Sequence, residues 1–316
     1  MDKKPEPKYT EFDNCWIYKD ILIVKPHYNN NLDPIIKLIN NHNCKNLYFS
    51  DYNDPFNSIE KFEIDNSKLY IETHLDQNIK SVFNQSVDNL PQQLLGLIFP
   101  PKSSFNCSVD NLPSNLNFLV LGNEFNCTID NLPSSLNVLI VMSMYCPNVD
   151  NLPSSITKLY LLNIFSQSVD NLPSGLKYFV NSSIMSVDNL PLGLEELQLV
   201  GTYFNKPIDN LPPYLTKLII AEYFNQPLNN LPNSLKFISF AYNSIFEQSL
   251  NNLPNSIEHI VLGIEYLLPI DNIYPNLKTI KCSKKYYEKF ANKLNGIEII
   301  FIEFDEFYES TKIYKL

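Results

Sequence analysis

Three sets of residues in this 316-residue chain have types and spacings that could do chemistry. The first is an acidic column. Asp88, Asp110, Asp130, Asp150, Asp170, Asp188, Asp209 and Asp271 recur about once every 20 residues, with Asn at 229 and 251. Carboxylates stacked at the parallel-strand spacing of about 5 Å repel unless they are solvated or bonded to N–H groups. A calcium ion is the sharp alternative, but the Gly-rich loops of calcium-binding β-rolls are missing. The Asn replacements favour Asx-turn capping instead. The second set is Cys107 and Cys127, which occupy one position in consecutive units. A structural zinc wants about four N/S ligands, and the six Cys show no C-x-x-C or framework spacing, so free buried thiols are expected. The third is an Asn that follows each acid: Asn89, Asn111, Asn131, Asn151, Asn171, Asn189, Asn210, Asn230, Asn252 and Asn272. Its amide is expected to bond backbone groups of the adjacent turns, as a structural ladder.

Catalytic patterns are missing. His27, His42, His74 and His259 are scattered, and there is no H-E-x-x-H, G-x-S-x-G, P-loop or dinucleotide fingerprint. The chain reads as a non-enzyme without cofactor or metal.

The elements that must position these residues are repeats. The stretch FNCTIDNLPSSLNVLIVM, Phe125 to Met142, recurs ten times between Phe83 and Ser283. Its Pro falls at 91, 113, 133, 153, 173, 191, 212, 232, 254 and 275, in steps of 18 to 22 residues. One such unit cannot bury its own apolar face, so the period predicts a stacked solenoid. Each unit has an aromatic position (Phe83, Phe105, Phe125, Tyr145, Phe165, Ile184, Phe204, Phe224, Phe246, Tyr266) expected to stack as an inner spine. An aliphatic position, the Asp-Asn-Leu-Pro turn and a Leu-x-x-Leu-x-Leu run follow. The run alternates with period two, which marks a strand. Strands recurring once per turn must pair in parallel, so the predicted fold is a β-rich, right-handed coil with one parallel sheet and about ten 20-residue repeats plus caps. So short a turn leaves no room for a full helix opposite the sheet.

Residues 1–14 read as a disordered tail. Residues 15–82 read as an N-terminal cap with two degenerate repeats, at Cys44-x-x-Leu47-x-Phe49 and Ile59-x-x-Phe62-x-Ile64. Asp33 is expected to N-cap a short helix begun by Pro34. The array proper covers 83–283, and a helix-strand cap covers 284–316.

Net charge is −10 with no Arg, which argues against nucleic acid, since phosphate binding needs clustered basic residues. Without guanidinium groups an interface must lean on Tyr, Phe and Lys. No apolar run reaches 18 residues and the polar start has no apolar core, so neither a membrane span nor a signal peptide is expected. Scarce Ala and Gly beside abundant Asn, Ile and Lys look like translation from an A+T-rich genome.

The pattern F-N-x-x-[VI]-D-N-L-P-x-x-L-x-x-L-x-L resembles the FNIP repeat, a leucine-rich-repeat-like family of social amoebae and giant amoeba viruses. The Asp-Asn-Leu-Pro form looks more like the viral branch. The resemblance implies protein–protein interaction without catalysis, in the host-cell cytoplasm or in the virion. Many members carry an F-box, which would make the chain a ubiquitin-ligase adaptor. Residues 1–82 show no Leu-Pro start followed by paired helices.

If the Leu residues of each strand point inward, the residues between them point out. Phe118, Val120, Val138, Ile140, Met142, Tyr160, Leu162, Tyr178 and Val180 should then form one contiguous apolar patch, larger than a monomer usually exposes. The expected function is a scaffold that binds a protein partner through this sheet face. A second copy of the chain, as in a self-assembling virus component, is the alternative occupant.

Overall fold

The computed structural model describes residues 9–53, 79–145, 147–163 and 166–302. The chain divides into two compact units, one up to Pro147 and one from Asn148. The regular 20-residue period does not announce this division.

In the first unit, β1 (Thr10–Glu11), β2 (Cys15–Tyr18) and β3 (Ile21–Val24) pair antiparallel in chain order. Helix α1 (Asp33–His42) then crosses to β4 (Asn46–Phe49), which pairs parallel with β3. Strands β5 (Gly96–Ile98), β6 (Phe118–Leu121) and β7 (Val138–Val141) follow, all parallel and in register. In the second unit, β8 (Lys158–Leu161), β9 (Tyr178–Asn181), β10 (Glu196–Leu199), β11 (Lys217–Ile220), β12 (Phe237–Phe240), β13 (His259–Val261) and β14 (Thr279–Cys282) continue the same pattern. Helix α2 (Lys284–Phe290) and a 3-10 turn lead to β15 (Glu298–Phe301), which pairs parallel with β14. The product is a β-solenoid with a mostly parallel sheet and little helix.

The repeat makes its turn by a fixed device. In ten units the carbonyl of the Pro, or of the Tyr before Pro275, accepts the N–H of the residue three on, as in Pro133 to Leu136 at 3.0 Å. Proline tolerates this position because its missing N–H is not required there. The chain then enters the strand with Leu136, Leu139 and Val141 inward and buried. The aliphatic position is buried in every unit, from Val87 to Ile270.

The aromatic spine forms only in part. Phe83, Phe105 and Phe125 stack at about 6.2 Å between centroids in the first unit, and Phe204, Phe224, Phe246 and Tyr266 at 6.0 to 6.2 Å in the second. Tyr145 and Ile184 instead point outward, at 50% and 39% exposure. The serine two residues earlier does not decide this: Ser143 accepts the N–H of Tyr145 through its hydroxyl, but Ser103 and Ser244 accept the N–H of the buried Phe105 and Phe246 in the same way. Phe165 lies outside the described residues.

The caps also differ from expectation. Thr10–Glu11 is paired to β2, so residues 9–14 are not a loose tail. The first degenerate repeat is a strand, β4. β4 pairs directly with β5, and Ile59-x-x-Phe62-x-Ile64 lies outside the described residues. Leu32, not Asp33, is the N-cap of α1; Asp33 is the first helical residue, and its N–H donates to the Asn31 side chain. Lengthening a helix by one residue past a proline-ready start costs little, which is why the cap slides. Ser283 caps α2 by accepting from Tyr286 N.

Candidate interaction surfaces

The Asp-Asn-Leu-Pro turns lie along one edge of each unit, exposed. There the Asn amide does not reach for backbone, as the sequence suggested, but for the acid of the preceding turn. Nδ2 donates from Asn111 to Asp88 at 3.3 Å, Asn131 to Asp110 at 3.1 Å, Asn171 to Asp150 at 3.2 Å and Asn189 to Asp170 at 3.0 Å. Asn210 reaches Asp188, Asn230 reaches Asp209, and Asn252 reaches Asn229. Asn272 shows the backbone bond, to Asn251 O. Asn89 and Asn151 hold the same position in their repeats. The correction follows from the pitch. An amide at the parallel-strand spacing sits between two carboxylates and removes the like-charge contact.

The acid's second oxygen accepts the hydroxyl of a serine two residues earlier, in Ser86–Asp88, Ser108–Asp110 and Ser168–Asp170. Asp170 is held below the ordinary carboxylate range by the Ser168 hydroxyl first and the Asn189 amide second. Both partners donate to the ionised form and favour it. Among the described residues no three His, Cys, Asp or Glu side chains converge on a metal-sized space.

A second ladder escaped the sequence reading. The Asn after the spine aromatic accepts, through Oδ1, the backbone N–H of the next turn: Asn84 from Asn106, Asn106 from Asn126, Asn205 from Asn225, and Asn225 from Glu247, at 2.7 to 2.9 Å. The signal was the recurrent Phe-Asn pair. It joins turns where no strand ladder runs, and satisfies N–H groups that would otherwise face only water.

The predicted apolar face is built in the expected register but is not free. Val120 pairs with Ile140 on β6 and β7, and Tyr160 with Val180 on β8 and β9. Val120, Ile140, Met142, Tyr160, Leu162 and Val180 are all buried, and Phe118, Val138 and Tyr178 are half-buried. Exposure of 0% at Ile140 and Val180 leaves these side chains no open surface for docking. Further along, the same column emerges: Ile219, Ser239, Val261 and Lys281 are half-buried. The expectation of an open patch at these nine residues is therefore corrected. Burial also drives the hydroxyls of Tyr160 and Tyr178 well above the phenol range, through desolvation first and neighbouring charge second. Tyr178 Oη accepts from Gln198, whose amide also donates to Glu196.

One run of exposed apolar side chains lies at the strand exits of the second unit. Tyr203 is 68% exposed, and Tyr223 and Ile245 follow it in the next two turns, also exposed. The two Tyr rings meet at 5.5 Å between centroids, tilted by 41°. Ile184 and Met185, one turn earlier, are exposed too. Tyr203, Tyr223 and Ile245 precede the buried spine aromatics Phe204, Phe224 and Phe246 by one position. A one-residue step inverts a side chain from core to solvent, so burying the spine forces its predecessor outward. The sequence signal was the aromatic doublet Tyr-Phe at 203–204 and 223–224.

Turn after turn of one short strand, one Pro-led bend and one extended return defines a leucine-rich-repeat-like solenoid. More narrowly, the chain carries the FNIP Repeat, whose family pattern matches residues 204–243. Among solved structures it is similar to CroV588, a giant-virus protein described as a novel circular LRR protein, at 26% identity and a TM-score of 0.71. That likeness covers 93% of this chain but 41% of CroV588, so the chain spans about two fifths of its neighbour's length. YopM from Yersinia enterocolitica WA-314 matches at 20% identity and a TM-score of 0.30, over 66% of this chain and 59% of that one. No curated protein sequence matches the chain. Among the described residues no helix is long and apolar enough to cross a membrane.

Proposed function

We propose that this chain is a non-catalytic scaffold that binds a protein partner at the strand-exit edge of its second unit. One observation carries the reading. Tyr203, Tyr223 and Ile245 stand exposed in three successive turns, each directly before a buried aromatic, Phe204, Phe224 or Phe246. Tyrosine supplies contact area at low entropic cost, and a rigid row of such side chains is the composition of an interface anchor. The leucine-rich-repeat-like fold supports the same class of function, and the likeness to a giant-virus protein supports work inside an infected cell. The covered central column around Ile140 and Val180 then serves stability rather than docking.

The test compares wild type with Tyr203→Ser, Tyr223→Ser and Ile245→Ser combined. Each residue is exposed, so melting curves should coincide within experimental error. Light scattering and affinity capture from host-cell lysate, each followed by cross-linking, report the contact. The reading expects a complex, with a partner or with a second copy, whose cross-links fall on 200–247 and which the triple variant loses. A complex that survives the triple variant, or cross-links confined to the first unit, would overturn it.

A further inference from the structure

We infer that Cys107 and Cys127 form a redox-closable pair, a site at which a disulfide can staple two consecutive turns of the first unit. Both thiols are free and both are partly exposed. They hold one position one turn apart, immediately after Asn106 and Asn126 of the Phe-Asn ladder. That ladder sets their separation. Asn106 Oδ1 accepts Asn126 N at 2.7 Å, and the rings of Phe105 and Phe125 lie 6.2 Å apart. Equivalent positions in stacked turns are therefore spaced within the range of about 4.4 to 6.8 Å between Cα atoms that a disulfide needs.

The side chains are also aimed for it. Cys127 Sγ lies 3.6 Å from Asn106 O and 3.5 Å from Asn106 Oδ1, so it already reaches back to the residue bonded to Cys107. Cys107 Sγ reaches the other way, to Asn84 Oδ1 at 3.3 Å. A rotation of Cys107 about its first side-chain bond releases Asn84 and turns its sulfur toward Cys127. The lost contact is a weak S–H bond on the solvent side, so the rotation is not opposed by the core.

The chemistry needs an oxidant, and a small-molecule disulfide such as oxidised glutathione is sufficient. One protein thiolate attacks a sulfur of the reagent, forming a mixed disulfide and expelling one thiolate. The second protein thiolate attacks the protein sulfur of that mixed disulfide, closing the Cys107–Cys127 bond and expelling the second. Two protein thiols lose two protons and two electrons, and the reagent is reduced to two thiols. Burial raises both thiols above the ordinary range; the neighbouring thiol and Asp88 add to it at Cys107, and Asp110 adds to it at Cys127. The thiolate is the nucleophile, so closure is expected to be slow at neutral pH and to quicken as pH rises.

The full chain is treated with oxidised glutathione, blocked with an alkylating agent and cut at Asp with an Asp-specific protease. Cuts before Asp110 and Asp130 place Cys107 and Cys127 on separate peptides, and the cut before Asp150 leaves Cys146 on a third. The expected product is one linked pair of the first two peptides, lighter by two hydrogens than their sum and released by a reducing agent. Cys127→Ser should give no linked pair and leave Cys107 alkylated or glutathionylated. The stapled protein should melt at a higher temperature than the reduced one, and Cys107→Ser should abolish that shift. Full alkylation of both peptides after oxidant at pH 8.5, or linkage of either cysteine to Cys146 instead, would overturn the inference.

Discussion

Val180 and Val261 occupy the same outward column of the same unit, on β9 and β13, yet Val180 is 0% exposed and Val261 is half-buried. Replacing each with Asp puts one carboxylate under cover and the other at the surface. At Val180 the variant loses the burial of an aliphatic side chain, about 1.5 to 3 kcal/mol. It must also keep a carboxyl neutral at pH 7 against a reference pKa of about 3.9, which costs roughly 4 kcal/mol at about 1.4 kcal/mol per pH unit. At Val261 the carboxylate stays hydrated, and the cost is about 1 kcal/mol, mostly strand propensity. The two variants should differ by about 5 kcal/mol. For a denaturant slope of about 3 kcal/mol/M this is a midpoint difference above 1 M in urea. The pH dependence has a definite sign. A buried Asp has a folded-state pKa above its unfolded value, so the penalty at Val180 grows as pH rises above about 4 and shrinks below it. Urea melts of both variants at pH 4 and pH 7 make the measurement. Equal midpoints at pH 7 would refute the burial of this face, and would return the column to the open docking surfaces.

Other outcomes follow from the spine and the ladders. Phe224→Ala should destabilise by about 3 to 5 kcal/mol, since the ring is fully buried between Phe204 and Phe246, whereas Tyr145→Ala should cost under about 0.5 kcal/mol; thermal melts separate them. Asn106→Ala should cost about 1 to 2 kcal/mol, more than Asn131→Ala, because it strips an acceptor from the Asn126 N–H as well as from Cys127. Asp170 has a lowered folded pKa, so its contribution is complete above the ordinary carboxylate value and is lost as pH falls through the folded one. Asp170→Asn should therefore lower stability at neutral pH, converge with wild type in acid and so flatten the acid limb; a steeper limb would contradict the Ser168 and Asn189 bonds.

Much of this fold could be read from spacing alone, because a 20-residue unit with a Pro-led bend and a period-two run has one way to bury its leucines. The inward residues Leu136, Leu139 and Val141, the aliphatic position from Val87 to Ile270 and the parallel register are all properties of a single repeat and its copy. Each depends only on local alternation and on like stacking upon like. The outcomes that depend on what lies beyond one repeat were different. That Ile140 is fully buried is recorded by no local pattern. That Tyr145 stays out of the spine is not marked by its residue type, which suits the core as well as Tyr266 does. That the Asn of each Asp-Asn-Leu-Pro turn bonds the previous acid rather than backbone follows from the pitch between turns, a distance that exists only once they are stacked. The same pitch brings Cys107 and Cys127 within bonding range and sets Tyr203 against Tyr223. Residue order determined which side chains face the core; stacking alone determined which of the others meet each other and which meet water.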